Sequence, residues 1–165
     1  MQSSTPPNKF EPIPFTLSLV ITLGIAYVAS LFTRPEIAGW YSSLNKPAFN
    51  PPSWLFAPVW ITLYIIIAIA AYIIWKKRER SSEYTTTVVI YVIQLLLNFS
   101  WSIVFFGMHQ ILAALIVILA LLVAIILNIN WFGRFSKAAA WMMVPYLLWV
   151  SFGTLLNLSI LILNK

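Results

Sequence analysis

The sequence predicts an all-α fold: an integral membrane bundle of five transmembrane helices. Three observations carry that prediction. Of 165 residues, 61% are hydrophobic and 8% charged, with a mean hydropathy of +0.90. An ordinary soluble domain carries about 25% charged residues and lacks the interior to hide this much apolar surface. The apolar residues also gather into five long runs free of Asp, Glu, Lys, Arg and His. At 1.5 Å rise per residue, runs of about 20 residues cross a hydrocarbon core of about 30 Å, whereas barrel strands would alternate over about ten.

In chain order, residues 1–14 carry Pro6, Pro7, Pro12 and Pro14 and read as an irregular N-terminal tail. They lack the basic segment of a signal peptide. Residues 15–165 read as one transmembrane domain. Its first span is expected at 15–32. The first loop, 33–53, is long and holds Pro35, Gly39, Trp40, Tyr41, Pro47, Pro51 and Pro52. Prolines restrict the backbone, so this loop reads as an ordered lid. The second span is expected at 54–75 and the third at 85–106. The connection 107–110 is so short that the third span and the fourth, 111–132, must be antiparallel neighbours. The link 133–137 makes the same argument for the fifth, 138–163, in which Pro145 should kink the helix or begin its straight part.

The charges sort by side. Lys9, Lys76, Lys77, Arg78, Arg80, Arg134 and Lys137 fall on one face of the membrane, Arg34, Lys46 and Lys165 on the other. The positive-inside rule places the N-terminus on the cytoplasmic or equivalent side. The formal charge of +6 thus reports topology, and no nucleic-acid partner is expected.

Conventional catalysis lacks its residues. There is no Cys, no Asp and one histidine, His109, in a tight turn, where a lone His is ordinarily solvated. Catalysis needs a positioned acid–base pair and a metal needs a ligand cluster, so the expectation is no catalytic residue, no metal and no cofactor.

Aromatic and weakly polar groups remain. Eight Trp, seven Tyr and eleven Phe make 16% of the chain. Trp75, Trp131, Phe132 and Phe135 adjoin basic residues, as interfacial anchors do. Others lie mid-span. Gln94, Asn98, Trp101, Ser102 and Phe105 share one face of the third span, and Tyr146, Trp149, Gly153 and Leu156, with Asn157 beside them, share one face of the fifth. Trp60 and Tyr64 stand one turn apart on the second. Amides in lipid must find partners, so these faces should point inward. Two readings follow: interhelical hydrogen bonds, at about 0.6 kcal/mol each, or an aromatic-walled pocket whose amides orient a flat ligand.

Several ordered motifs resemble those of one family. Trp40-Tyr41-x-x-Leu44-x-Lys46-Pro47-x-x-x-Pro51-Pro52 is followed by Phe56-x-Pro58-Val59-Trp60. Gln94-Leu95-x-Leu97-Asn98-x-x-Trp101-Ser102-x-x-Phe105-Phe106 and Pro145-Tyr146-x-x-Trp149-x-x-Phe152-Gly153-Thr154-x-Leu156-Asn157 complete the set. Together they resemble the translocator protein family, also called tryptophan-rich sensory proteins or peripheral-type benzodiazepine receptors. The resemblance implies a five-helix bundle, often a homodimer, that binds porphyrins such as protoporphyrin IX and haem, or other lipophilic molecules, beneath its first loop. By motif position, Tyr41, Lys46 and Pro47 would belong to the lid. Trp60, Asn98, Trp101, Trp149, Phe152, Gly153 and Leu156 would line the cavity, with Phe105 on the same face.

The function this implies is a receptor or carrier for porphyrin-type tetrapyrroles in stress response or tetrapyrrole regulation, with propionates near Lys46 or Arg34. Light-dependent porphyrin breakdown, with Trp60 and Trp149 as electron donors, is the enzymatic alternative. A lipid- or sterol-binding protein, or a purely interacting one that assembles through small residues such as Ala120 and Ala124, is the other. The animal family's cholesterol motif is incomplete, since Leu158 follows Asn157 and no Arg comes after it. His109 and Ala113 likewise replace an Arg and an aromatic of animal members. These departures imply a bacterial or plant-like member in a bacterial membrane, or in an organelle membrane of a eukaryote.

Overall fold

Pro12 and Pro14 sit in the first turn of the first helix, α1 (Pro12–Ala38), where a missing N–H costs nothing and the fixed φ suits the helix. The computed structural model describes residues 10–78 and 81–165. The tail residues 1–9, with Lys9, and the loop residue Arg80 lie outside the described residues. The helix thus starts within the expected tail. It also runs six residues past the expected end of the span. Arg34, Pro35 and Glu36 end the apolar stretch but not the helix, which continues through Pro35 to Gly39. The connection that follows is correspondingly shorter than 33–53. It contains the one-turn helix α2 (Trp40–Ser43) and leads through a 3-10 turn, Ser53–Leu55, into α3 (Phe56–Lys76).

α4 (Ser82–Ser102) opens on Ser81, whose hydroxyl accepts from the backbone N–H of Tyr84 at 3.1 Å, and closes in a π-helical turn, Ile103–Gly107. α5 (Ile111–Phe135) follows after a link in which His109 adopts a left-handed φ of 55°. The last span is divided. α6 (Lys137–Met142) is capped by Ser136, and α7 (Val144–Leu163) begins with Pro145 in its first turn, so the proline starts the straight part of the helix. Five helical segments are long and apolar enough to cross a membrane, and among the described residues there is no strand.

The five spans close into a ring. α1 packs on α3, α3 on α6, α6 and α7 on α5, α5 on α4, and α4 with its π-turn back on α1. The short links do make α4 and α5, then α5 and the last span, neighbours. The ring is not uniform along its axis. At the basic end, α3 packs closely on α6, where Ala139 and Ala140 are buried among Ile67, Ala70 and Ile74. Toward the other end α3 barely touches α7. Small residues draw the helices together at one end, and Trp60 and Trp149 hold them apart at the other.

Buried amides and phenols cross-link the middle. The Tyr64 hydroxyl donates to Asn98 Oδ1. The Tyr146 hydroxyl accepts from Asn98 Nδ2 at 2.6 Å and from Gln94 Nε2 at 3.1 Å, and Asn128 Nδ2 donates to Gln94 Oε1 at 3.3 Å. This ties α3, α4, α5 and α7 at one level. Asn128 Oδ1 alone is buried without a partner among the described residues.

Candidate functional site

The splay between α3 and α7 leaves a cavity of about 320 Å³ in the half of the bundle beneath the first loop. That size falls at the lower end of the roughly 300–1,000 Å³ typical of small-molecule sites. Its walls are aromatic: Trp60 from α3, Trp101 and Phe105 from α4 and its π-turn, Trp149 and Phe152 from α7. The rings brace one another. Trp149 meets Phe56 edge-on at 6.0 Å and lies 5.6 Å from Phe152, and Trp101 stacks on Phe105 at 5.3 Å. Such contacts fix the rings before a ligand arrives, which lowers the ordering cost of binding.

The amides take the first of the two roles open to them. Asn98 is held by Tyr64 and Tyr146 as above. Asn157 accepts from Trp101 Nε1 at 3.1 Å and donates to the Ile111 carbonyl at 3.0 Å. Both border the cavity while bonded within the protein. The walls therefore present mostly π-faces and hydrocarbon, with the amides taken up inside the protein and the Ser102 hydroxyl and the Trp60 and Trp149 indole N–H groups left without a partner among the described residues. Gly153 borders the cavity too. A Cβ there would meet Ile118 Cδ1 at 3.5 Å, an ordinary contact, so the glycine is not required by backbone crowding.

Of the eleven residues singled out from the sequence, Tyr41, Trp60, Asn98, Trp101, Phe105, Trp149, Phe152, Gly153 and Leu156 line the cavity, and Lys46 and Pro47 do not. Lys46 has a different task. Its Nζ donates to the carbonyls of Tyr41 (2.8 Å), Leu44 (2.8 Å) and Ser42 (3.2 Å), and it lies 5.1 Å from the centre of the Tyr41 ring. It caps the C-terminal end of α2 and does not line the cavity. Sequence reasoning set Arg34 near a ligand's propionates but missed the α1 wall to which it belongs, where Tyr27, Ser30 and Ile37 also line the cavity. Their spacing is that of one helical face, a signal hidden by ending the helix before Arg34. Arg34 is exposed at this wall and, among the described residues, has no hydrogen-bond or ion-pair partner. On α5 the wall is made by Ile118 and Leu121, not by Ala113.

The first loop is folded and tied down. The buried Tyr41 hydroxyl donates to Asn50 Oδ1 at 2.7 Å; burial pushes its pKa up to about 12, against the opposing pull of that hydrogen bond. The loop's Asn45 N–H donates to Asn164 Oδ1 at 2.9 Å, and Asn164 Nδ2 returns a bond to the Asn45 carbonyl at 2.8 Å. Trp40 stacks on His109 at 4.3 Å, and His109 Nε2 lies 3.0 Å from Glu36 Oε2. His109 is therefore not a free solvated turn residue: it joins α1, the first loop and the third. Among the described residues no group of His, Cys, Asp and Glu could hold a metal.

Comparison with known proteins decides the lineage. The TspO/MBR family model matches residues 16–163. The chain belongs to the TspO/MBR family. It is 42% identical over 157 residues to the tryptophan-rich protein TspO of Chlorobaculum tepidum, covering 95% of this chain and 99% of that one. The TspO of Archaeoglobus fulgidus is 40% identical over 153 residues, 89% and 94% of the two chains. The human translocator protein is 36% identical over 142 residues, 85% and 83%. The chain is accordingly a multi-pass integral membrane protein of that family.

Proposed function

We propose that this TspO/MBR family member is a membrane receptor or carrier for a flat lipophilic ligand of the porphyrin class, taken into the cavity beneath the first loop. The observation that carries the reading is the cavity wall of braced Trp and Phe rings with its own amides already bonded. Such a wall favours a planar π-system, held by stacking and burial rather than by polar readout. Arg34 at the rim supplies a cation for peripheral carboxylates. Relatives named translocator and sensory proteins support a carrying or sensing role over a catalytic one. No acid–base pair faces the cavity from among its lining residues. The test is titration of the detergent-purified chain with protoporphyrin IX, read by quenching of tryptophan emission. Saturable quenching is expected, weakened about tenfold by Trp149→Ala through lost stacking of about 0.5–1.5 kcal/mol plus lost burial. Unsaturable quenching, identical in the variant, would refute the assignment.

A further inference from the structure

The link from α4 to α5 departs from ordinary helix geometry twice in succession. It widens into the π-helical turn Ile103–Gly107, where the Met108 N–H donates to the Ile103 carbonyl at 2.8 Å and the Gln110 N–H to the Val104 carbonyl at 3.0 Å. Directly after it, His109 takes its left-handed φ of 55°. π-helical turns are rare, and left-handed backbone costs any residue that carries a Cβ. A π-helical turn holds one residue more than an α-helical one, so its register decides which side of the helix Phe105 and Phe106 face. Both line the ligand cavity. Unfavourable backbone persists only where surrounding contacts over-determine it, so contacts from elsewhere in the fold must hold this turn.

Those contacts run through the His109 side chain. Its imidazole lies flat on the Trp40 indole, with centroids 4.3 Å apart and planes 17° from parallel, and its Nε2 lies 3.0 Å from Glu36 Oε2 on α1. That carboxylate has no other hydrogen-bond or ion-pair partner among the described residues. On its inner side Trp40 meets Phe105 edge-on at 5.4 Å, and Phe105 stacks on Trp101. A relay of rings thus leads from an exposed imidazole to the cavity wall. Phe105 and Trp101 line the cavity, whereas Glu36, Trp40 and His109 do not. Any influence of His109 on a ligand therefore passes through the rings it holds.

We propose that His109 is a positioning residue of the ligand site: clamped between Trp40 and Glu36, it keeps the π-turn in the register that sets Phe105 and Trp101 into the cavity wall. The proposal rests on the porphyrin reading for its ligand, but the register can be read on the free chain as well. His109→Gly removes the ring while suiting the left-handed backbone, so melting temperature should stay within a few degrees. Protoporphyrin IX should bind about fivefold more weakly, the effect of one ring stack and one hydrogen bond. Added imidazole, which can reach the exposed place between Trp40 and Glu36, should restore affinity to within about twofold of wild type. His109→Asn, which also tolerates the left-handed region, should show the same loss. In a Trp40→Ala background His109→Gly should add little, because the two residues act as one unit. On the free chain, amide hydrogen exchange at Met108 and Gln110 should quicken about fivefold in His109→Gly and slow again with imidazole. Affinity and exchange unchanged in both His109 variants overturn the proposal. So does a loss that imidazole leaves as it is, since the glycine backbone would then be its cause. A wild-type chain that binds no protoporphyrin IX refutes the porphyrin reading alone, and exchange at Met108 and Gln110 then decides for or against the positioning role.

Discussion

Arg34 and Lys46 are the two side-chain cations that the first connection and the end of α1 bring to the first-loop side of the bundle, where Lys165 also lies, and the structure separates their roles. Lys46 caps α2 with three carbonyl contacts, whereas Arg34 stands unpartnered among the described residues at the cavity rim. If porphyrin propionates are read there, Arg34→Gln should weaken protoporphyrin IX but spare its dimethyl ester. Arg34 is exposed, so the contact should be discounted from the 1.5–3 kcal/mol of a charge-assisted hydrogen bond to about 1 kcal/mol. That is about a fivefold rise in Kd for the diacid at low salt, shrinking toward 0.15 M salt as the Debye length falls to about 8 Å. The assay is fluorescence titration of wild type, Arg34→Gln and Lys46→Gln with each ligand at two ionic strengths. A diacid-to-ester ratio unchanged in Arg34→Gln, or one lowered instead by Lys46→Gln, would show that carboxylates are not read at this rim.

Further expectations follow from the amides and the loop. Asn98→Leu leaves the Tyr64 hydroxyl without its acceptor and Tyr146 with one donor fewer, so stability should fall by about 1–3 kcal/mol, a drop of several degrees in melting temperature in detergent; an unaltered melting curve would mean these bonds contribute nothing. Tyr41, with a folded pKa of about 12 against an ordinary value near 10, keeps its proton in the folded chain where the unfolded chain has lost it. Its stabilisation is complete below pH 10 and declines as pH rises from about 10 to 12, by at most about 2–3 kcal/mol. Melting temperature measured across that window should fall less steeply in Tyr41→Phe than in wild type, and parallel slopes would contradict the assignment. Asn164→Ala removes both bonds to Asn45, so amide hydrogen exchange in the first loop should quicken about fivefold to tenfold, in line with about 1 kcal/mol per bond. Exchange identical to wild type would show that the end of α7 does not restrain the loop.

How far the sequence could be read depended on the range of the interactions. The spans were legible because charge cannot sit in hydrocarbon, so uninterrupted apolar runs mark them directly. Gln94, Asn98 and Tyr146 were legible as inward faces because an amide in lipid needs a partner and helical spacing says which side it is on. The α1 wall was not, because Arg34, Pro35 and Glu36 end a hydropathy signal at a place where the helix itself continues. Membrane depth and helix length are set by different forces. The stacking of Trp40 on His109 and the pairing of Asn45 with Asn164 join residues far apart in sequence, and no local pattern announces them. The pair Ala120 and Ala124 shows the converse: a small-residue spacing that suggests an assembly face, although Ala124 is buried inside the bundle.

The tight closure at one end of the ring gives α7 the mechanics of a lever. Its fixed point is the turn at Met143, wedged beside the alanines of α6, and its arm is the length of Val144–Leu163, about 30 Å, which leans on α5 and is fastened to Asn45 at its far end. Over such an arm, a tilt of about 5° at the pivot displaces the far end by about 2.6 Å. The aromatic rings on α7 ride on that arm, and a tilt of that size would stretch the Asn45–Asn164 hydrogen bonds past their working length, so the bonds that hold the first loop also oppose any widening of the cavity.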